Sequence, residues 1–243
     1  MNLYVVTGTT KGLGQALASR IQADTSNILV SIARSPAATP QRGLHIRADL
    51  GVSADITRAG EEMTRFVTGQ SFERAVLINN AGVVSPVAPL EQADPAQLER
   101  NLVVNLVAPV LLMRAFLRAT QGVGLRRVIN ISSGAGRRPV SGWTGYCSAK
   151  AGLDMASRVA ALEAEQRATG VEVVSLAPGV IDTPMQEVVR GATAEEFAEV
   201  ERFRQMKAEG VLRPADDVAA DILRLEAEGK LKGEPLADLR ALA

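Results

Sequence analysis

Short apolar runs alternate with longer stretches of helical pattern along most of the chain. Six runs rich in Val, Ile, Leu and Ala are predicted as β-strands: residues 3–7, 28–33, 43–48, 75–79, 126–132 and 171–177. Because nearly every position in them is apolar, we expect both faces of these strands to be covered. The stretches between them that have helical patterns are residues 13–23, 54–68, 95–120 and 146–169.

This alternation of strand and helix predicts an α/β fold: a single Rossmann-type doubly wound parallel sheet with helices on both faces. In such a sheet the ligand lies at the carboxyl ends of the strands. We expect residues 1–243 to form one domain. Residues 184–210 depart from the alternation and are rich in Glu, Arg, Met and Phe, which predicts either a substrate lid or an extra surface helix.

Composition excludes several classes of function. The 27 basic residues balance the 27 acidic ones without a basic tract, so nucleic acid is not an expected partner. One cysteine and one histidine exclude a disulfide framework and a metal site built on several such side chains. No apolar run approaches the ~18 residues of a membrane span, and residues 102–112 are predicted as a buried helix. The chain also enters a strand at once, without a signal peptide, so we expect a cytoplasmic protein.

A glycine-rich turn follows the first predicted strand and precedes the first predicted helix. Glycines in such a turn let the backbone approach a pyrophosphate, which the following helix N-terminus stabilises. The spacing G-x-x-x-G-x-G therefore predicts a dinucleotide site formed by Gly8, Thr10, Lys11, Gly12, Leu13 and Gly14.

The end of the second predicted strand indicates which dinucleotide binds. An acidic residue there would bind a ribose 2′-hydroxyl and favour NAD. Arg34 stands at this position instead, and Lys11 adds a second positive charge. Both cations suit a 2′-phosphate, which predicts NADPH as cofactor; the alternative for Arg34 is a solvated loop arginine.

Tyr146 and Lys150 are four residues apart on a predicted helix, so their side chains lie on one face. We expect the Lys150 ammonium to lie below the phenol and to lower the pKa of Tyr146 towards neutrality, which would make it a general acid for a carbonyl oxygen. Ser133, thirteen residues before Tyr146, is the expected hydrogen-bonding partner of that oxygen, and the adjacent Ser132 points to the opposite face.

Apolar residues near this pair are candidates for the substrate pocket. Trp143 either stacks against an aromatic substrate or packs on the core or a subunit contact. Met185, with Val188 and Phe203, would supply an apolar wall from the predicted lid, and residues 83–85 would form the floor. Ser133 and Tyr146 complete the expected substrate contacts.

Together these motifs resemble the short-chain dehydrogenase/reductase family over essentially the whole chain. The resemblance also rests on Asp49-Leu50, Asn79-Asn80-Ala81-Gly82, Asn105 and the turn Pro178-Gly179-Val180-Ile181-Asp182-Thr183. Within the family, residues 105–112, 142–155 and 201–204 are similar to the bacterial benzil reductases of the (S)-benzoin-forming group, which is related to sepiapterin reductase.

The resemblance implies an NADPH-dependent carbonyl reductase that transfers hydride to a ketone, such as the aromatic α-diketone benzil. It implies the catalytic set Asn105, Ser133, Tyr146 and Lys150, with Asn105 holding a water that relays protons to Lys150. The cofactor would contact Asp49 and Leu50 at the adenine, Asn80, Ala81 and Gly82 at the adenine ribose, Tyr146 and Lys150 beside the nicotinamide ribose, and Pro178, Gly179, Val180, Ile181 and Thr183 at the nicotinamide.

Other readings stay open. One is a sepiapterin-type pterin side-chain reductase, another is a 3-oxoacyl-carrier reductase, and a third is an NADPH sensor without turnover. The family also implies a homodimer or homotetramer that contacts through its long helices. The tail after Leu231 lacks the V-D-G-G ending of tetrameric relatives, which leaves the number of subunits open.

Overall fold

The computed structural model describes residues 1–36, 42–233 and 235–242. Its strands, in chain order, are β1 Asn2–Thr7, β2 Asn27–Ala33, β3 Gly43–Arg47, β4 Arg74–Asn79, β5 Leu125–Ile131, β6 Val171–Ala177, β7 Ile181–Asp182, β8 Arg213–Pro214 and β9 Leu236–Asp238. Seven of them form one parallel sheet in the order β3-β2-β1-β4-β5-β6-β9, and β7 pairs with β8.

Helices cover both faces of this sheet. They are α1 Gly12–Ala23, α2 Ser53–Val67, α3 Pro95–Leu102, α4 Ala108–Ala119, α5 Thr144–Gln166, α6 Pro184–Gly191, α7 Val200–Ala208, α8 Ala215–Ala227 and α9 Leu239–Leu242. α1 and α8 pack together on one face, and α2 and α4 pack together on the other. The doubly wound α/β fold predicted from the alternation is confirmed.

The core consists of two apolar layers separated by the sheet. Successive residues of a strand point to opposite faces. Leu3 and Val5 of β1 accordingly lie in the layer beneath α2 and α4, whereas Tyr4 and Val6 lie in the layer beneath α1 and α8. This two-sided burial explains why the strands are apolar at nearly every position.

All six predicted strands are present, with ends that differ by at most one residue from those expected. Three features of the fold differ from the predictions. The predicted helix 95–120 is divided by a π-helical turn at Val103–Val107, and the predicted helix 146–169 runs instead from Thr144 to Gln166. The seventh strand of the sheet, β9, was not predicted, because three residues are too few to show a periodic pattern.

Pro95–Ala119 is the one helical stretch, in the part of the chain that the structure describes, that is long and apolar enough to cross a membrane by length and composition. A core helix passes the same test, and here Leu112 and Phe116 lie buried in the layer shared with α2. The other side presents Val107 and Leu111, which are 37% and 39% exposed. The predicted burial of residues 102–112 is therefore correct for one side only.

A buried ionic network joins α8 to the sheet. Glu226 is only 1% exposed. Its carboxylate accepts hydrogen bonds of 3.0 Å from the Tyr4 hydroxyl and from the Arg127 guanidinium. Arg127 also pairs with Glu172 of β6, and Arg74 of β4 lies 3.3 Å from Glu226. The network thus ties β1, β4, β5 and β6 to one helix.

Replacing Glu226 with Gln should lower the free energy of unfolding by about 3 kcal/mol, because removing one partner of a buried ion pair leaves the Arg127 charge poorly compensated. Urea denaturation measures this loss. The matched control is Asp216→Asn, which removes the carboxylate of an exposed pair with Arg20 and should change stability far less. Equal losses in both variants would contradict a buried network.

Candidate active site

The turn between β1 and α1 has a backbone that only glycine permits at key positions. A side chain at Gly14 would place its first carbon 2.1 Å from the Gly8 carbonyl oxygen, and Gly12 has a positive φ of 55°. A side-chain carbon added to Gly12 would lie 3.1 Å from the Thr183 methyl group. The turn after β6 therefore lies directly against the glycine turn. Two segments predicted to contact the cofactor are therefore neighbours.

The glycine turn also contains a buried polar atom that the described residues leave unsatisfied. The Thr9 hydroxyl is buried and has no hydrogen-bonding partner there. An unpaired buried hydroxyl is costly and commonly indicates a missing partner. Together with the narrow glycine backbone and the N-terminus of α1, this atom fits the phosphate end of a dinucleotide.

The segment after β4 is fastened to the same turn. The Thr7 hydroxyl accepts hydrogen bonds of 2.9 Å from the backbone N–H groups of Asn80 and Ala81. The Asn80 amide donates in return to the Thr7 carbonyl oxygen at 2.9 Å. This mutual pairing holds Asn80 and Ala81 beside the glycine turn.

A cavity at the carboxyl ends of β2 and β3 is rich in arginine. It is lined by Arg34, Arg47, Ala48, Asp49, Asp55 and Arg58. The Arg47 guanidinium donates to the Arg34 carbonyl oxygen at 3.2 Å, and Arg58 donates to the Arg47 carbonyl oxygen at 2.8 Å. Asp49 is gripped by Arg100 of α3, whose Nη2 lies 2.7 and 2.9 Å from the two carboxylate oxygens.

The predicted catalytic residues come together at the carboxyl end of β5. Tyr146 and Lys150 lie one turn apart on α5, both buried, with the Lys150 Nζ 5.7 Å from the centre of the Tyr146 ring. Ser133 follows β5, and its side chain is close enough to Tyr146 to lower the pKa of the phenol. Ser132 points the other way, towards Asp154, as the alternation of a strand requires.

The ionisation of this pair differs from the prediction. Burial raises the pKa of Tyr146 to about 12, against a smaller lowering by the Ser133 hydrogen bond. Burial also lowers the pKa of Lys150 to about 8, and its Nζ donates to the Ile131 carbonyl oxygen at 2.8 Å. The expectation that Lys150 brings the pKa of Tyr146 towards neutrality is therefore wrong for the protein as described, because the desolvation of the buried phenol dominates its pKa.

Asn105 lies in the π-helical turn, a deformation that is frequent at functional sites. Its amide donates to the Val83 carbonyl oxygen at 2.7 Å and to the Asn101 side chain at 2.8 Å, and its oxygen accepts from the Val83 N–H at 3.2 Å. These bonds shape the loop after β4. The predicted water relay from Asn105 to Lys150 stays a prediction.

Trp143 is not on an open loop. It immediately precedes α5, is 7% exposed, and stacks on Phe197 with ring centres 4.9 Å apart and planes 10° from parallel. The edge of its ring meets Tyr146, with centres 5.4 Å apart. Of its two predicted roles, packing against the core is the one present here.

Residues 184–210 form more than one surface helix. α6, α7 and the segment between them bury Val189, Phe197, Val200 and Phe203 against Trp143, and Met185 packs on the edge of this cluster. Met185 also lies close to Gly82, where an added side-chain carbon would be 3.8 Å from its methyl group. The segment thus covers the Tyr146 side of the site.

The turn after β6, residues 178–183, reaches the glycine turn. Pro178, Gly179 and Val180 lead into β7, and Thr183 precedes α6 against the glycine turn. The side chain of Arg240, from α9, is in packing distance of Gly179. A β-carbon added to this glycine would lie 3.5 Å from Arg240 Cδ. The turn therefore lies against the glycine turn at Thr183 and against α9 at Gly179.

Several site residues escaped the sequence analysis. Thr7, Arg47, Arg58, Arg100 and Asp154 act through contacts between distant segments, so no local motif marks them. Of these, Arg47 was the easiest to predict. It ends β3, the parallel neighbour of the strand that leads to Arg34, and parallel neighbours end at the same edge of the sheet.

Comparison with known proteins gives consistent matches. The family described as short chain dehydrogenase matches residues 2–194. A benzil reductase ((S)-benzoin forming) of Bacillus subtilis (strain 168) is 36% identical, with 96% of each chain covered. A sepiapterin reductase of Meriones unguiculatus is 32% identical, over 91% of this chain and 89% of that one. The crystal structure of the KRED1-Pglu enzyme superposes with a TM-score of 0.79 at 27% identity, over 93% of this chain and 94% of that one.

The two tyrosines of the chain, Tyr4 and Tyr146, allow a direct test of the buried phenol. Burial raises the pKa of both, so the native protein should show little tyrosinate absorbance at about pH 10, where free tyrosine is half ionised. Because the folded pKa is raised, the stabilisation from each neutral phenol is complete below about pH 10 and is lost as the pH rises further. Urea-unfolded protein is the control, and a native phenol that ionises near neutral pH would contradict the desolvation argument.

Proposed function

The chain belongs to the short-chain dehydrogenase/reductase family, which consists of oxidoreductases that use nicotinamide cofactors, and from that premise we propose that it is an NADPH-dependent reductase of an aromatic α-diketone such as benzil. The observation that carries the proposal is the grouping of Ser133, Tyr146 and Lys150 at the carboxyl end of β5, on the same edge of the parallel sheet as the glycine turn after β1. Two hydroxyls and an ammonium at one point suit a carbonyl oxygen that gains negative charge during reduction.

The preference for NADPH follows from the arginine-rich cavity. When bound, this cofactor supplies the hydride. Arg34 and Arg47 would hold the 2′-phosphate, with Lys11 as a third cation and Arg58 supporting Arg47. Asp49, held by Arg100, would contact the adenine. Guanidinium groups match phosphate oxygens in both charge and geometry, whereas a 2′-hydroxyl would call for an acid at the end of β2.

The chain's own residues divide the proton chemistry among them. Ser133 donates a hydrogen bond to the substrate oxygen and fixes its position. Tyr146 then donates its proton to the same oxygen, and its pKa of about 12 keeps the phenol in the protonated form that this step needs at neutral pH.

Lys150 offsets the cost of the phenolate that remains. An isolated phenolate is costly in a buried site, and a nearby cation reduces this cost. With a pKa of about 8, the Lys150 ammonium is largely charged at pH 7 and becomes neutral as the pH rises. Reduction should therefore slow on the alkaline side of about pH 8.

The pocket is proposed to lie between Tyr146 and the segment 184–210, which would act as a lid. Met185 and the buried cluster of Trp143 and Phe197 on which it packs would give this region an apolar, aromatic wall suited to an aryl ketone. The names of the relatives support two substrates, benzil and sepiapterin, and both carry a carbonyl next to a conjugated group. The aromatic wall favours benzil, and the pterin side chain is the second candidate.

A homodimer is the proposed assembly. Met155, Val159 and Leu162 form an exposed apolar stripe on α5, and Val107 of the π-helical turn and Leu111 of α4 form a second. Helical stripes of this kind usually mark a protein contact. A second copy that presents the same stripes would cover them symmetrically.

The function is tested by mixing pure protein with NADPH and, separately, benzil, sepiapterin and an acetoacetyl thioester. We expect loss of reduced-nicotinamide absorbance with benzil, and chiral analysis of the product gives the face of attack. Tyr146→Phe should lower turnover by about 10²–10⁴-fold, the usual contribution of a general acid, while leaving NADPH affinity nearly unchanged.

Each alternative has its own outcome in this panel. Consumption of NADPH with sepiapterin alone would make the protein a pterin reductase, and consumption with the thioester alone would make it an acyl-carrier reductase. Quenching of Trp143 fluorescence by NADPH without any turnover would indicate a sensor. Full activity of Tyr146→Phe would refute the assignment of the acid.

The cofactor preference is tested by Arg34→Ala. This change should weaken NADPH binding by about 10–100-fold, the value of one charged hydrogen-bonding partner, and should leave NADH binding much less affected. Titration of Trp143 fluorescence measures both affinities. Arg65→Ala, at an exposed position on α2, is the control for a lost positive charge. Equal weakening of NADPH and NADH would contradict a 2′-phosphate site at Arg34.

A further inference from the structure

Asp154 continues the catalytic stripe of α5. It lies one helical turn beyond Lys150, as Lys150 lies one turn beyond Tyr146, and all three side chains are buried. Aspartate is seldom buried unless its oxygens are fully engaged. Its position next to the reacting groups therefore calls for an explanation.

Three donors from three separate segments converge on Asp154. Its Oδ1 accepts hydrogen bonds from Ser132, after β5, at 2.5 Å and from Ser175, in β6, at 2.6 Å. Its Oδ2 accepts one from the Arg137 guanidinium at 3.2 Å. An oxygen pair that only accepts is the pattern of a carboxylate, so the negative charge is part of the arrangement.

Side chains of α5 hydrogen bond with two successive residues at the end of β5. Lys150 donates to the Ile131 carbonyl oxygen at 2.8 Å, and Asp154 accepts from the Ser132 hydroxyl. The next residue is Ser133, which faces Tyr146 on the opposite side of the chain. The backbone that presents Ser133 is therefore fixed from the helix that carries the acid.

Asp154 also supplies charge to this part of the site. Burial lowers the pKa of Lys150, and the Asp154 carboxylate acts in the opposite direction. The other ionisable or charged groups here are Tyr146 on α5 itself and Arg137 after β5, while β6 contributes the Ser175 hydroxyl. Arg137 pairs with Asp154 at 3.2 Å, so its removal would leave the Asp154 charge less compensated.

We propose that Asp154 is a positioning residue for the reaction: it holds the end of β5 so that Ser133 faces the substrate oxygen, and it provides the counter-charge to the Lys150 ammonium. This inference rests on the proposed catalytic roles of Ser133 and Lys150. Asp154 hydrogen bonds with Ser132, Ser175 and Arg137, so its effect on the reaction would pass through Ser133 and Lys150.

The test measures Lys150 directly, without any substrate. The chain has five lysines, so protein labelled at lysine Cε gives few NMR signals, and a Lys150→Arg sample assigns the one from Lys150. The titration midpoint of Lys150 is expected near pH 8 in the unaltered protein. Asp154→Asn should lower it by roughly 1 pH unit, because the ammonium loses its counter-charge.

Two matched variants separate charge from structure. Ser175→Ala removes one hydrogen bond to Asp154 without changing any charge, so it should leave the midpoint in place. Arg137→Met removes the opposing positive charge and should raise the midpoint. If Asp154→Asn does not fold, the Arg137→Met sample still tests the field at Lys150 by the sign of its shift.

The pH at which reductase activity falls on the alkaline side should shift in the same directions as the midpoint. It should be lowest for Asp154→Asn and highest for Arg137→Met. An Asp154→Asn midpoint equal to that of the unaltered protein, or an Arg137→Met midpoint that falls or does not move, would overturn the inference. Absence of reductase activity in the unaltered protein would instead overturn the proposed function, because the NMR midpoints do not depend on turnover.

Discussion

The site depends on burying a phenol and an ammonium side by side on one helix. Burial disfavours the charged form of both, which is why the pKa of Tyr146 rises and that of Lys150 falls. The same low dielectric strengthens every remaining interaction between them and their neighbours. The hydrogen bond from Lys150 to the Ile131 carbonyl oxygen and the nearby Asp154 carboxylate offset part of the cost of burying the ammonium.

The sequence predicted most of the fold and several candidate site residues because each depends on local order. Six strands follow from apolar runs, and the glycine turn, Ser133, Tyr146 and Lys150 follow from fixed spacing along single elements. Arg34 followed from its place at the end of a strand. In these cases one segment carries the whole signal, so periodicity and spacing suffice.

What escaped prediction depends on contacts between segments far apart in the chain. β9 is three residues long and becomes a strand only because β6 offers it an open edge. The surroundings of Asp154 are set by hydrogen bonds with Ser132, Ser175 and Arg137. No spacing rule connects these residues in the sequence. The pKa of Tyr146 was misjudged for the same reason, since the neighbouring lysine is visible in the sequence whereas the depth of burial is not. Trp143 likewise found its partner, Phe197, across a distant loop.

The seventh strand gives the site a dependence on the order in which the chain is made. Arg137, the partner of Asp154, also donates a hydrogen bond of 3.1 Å to the carbonyl oxygen of Ala237 in β9. The ribosome adds Ala237 after every other strand of the sheet has been synthesised. The last support of Arg137 is therefore added only after β9 has been synthesised and has docked beside β6.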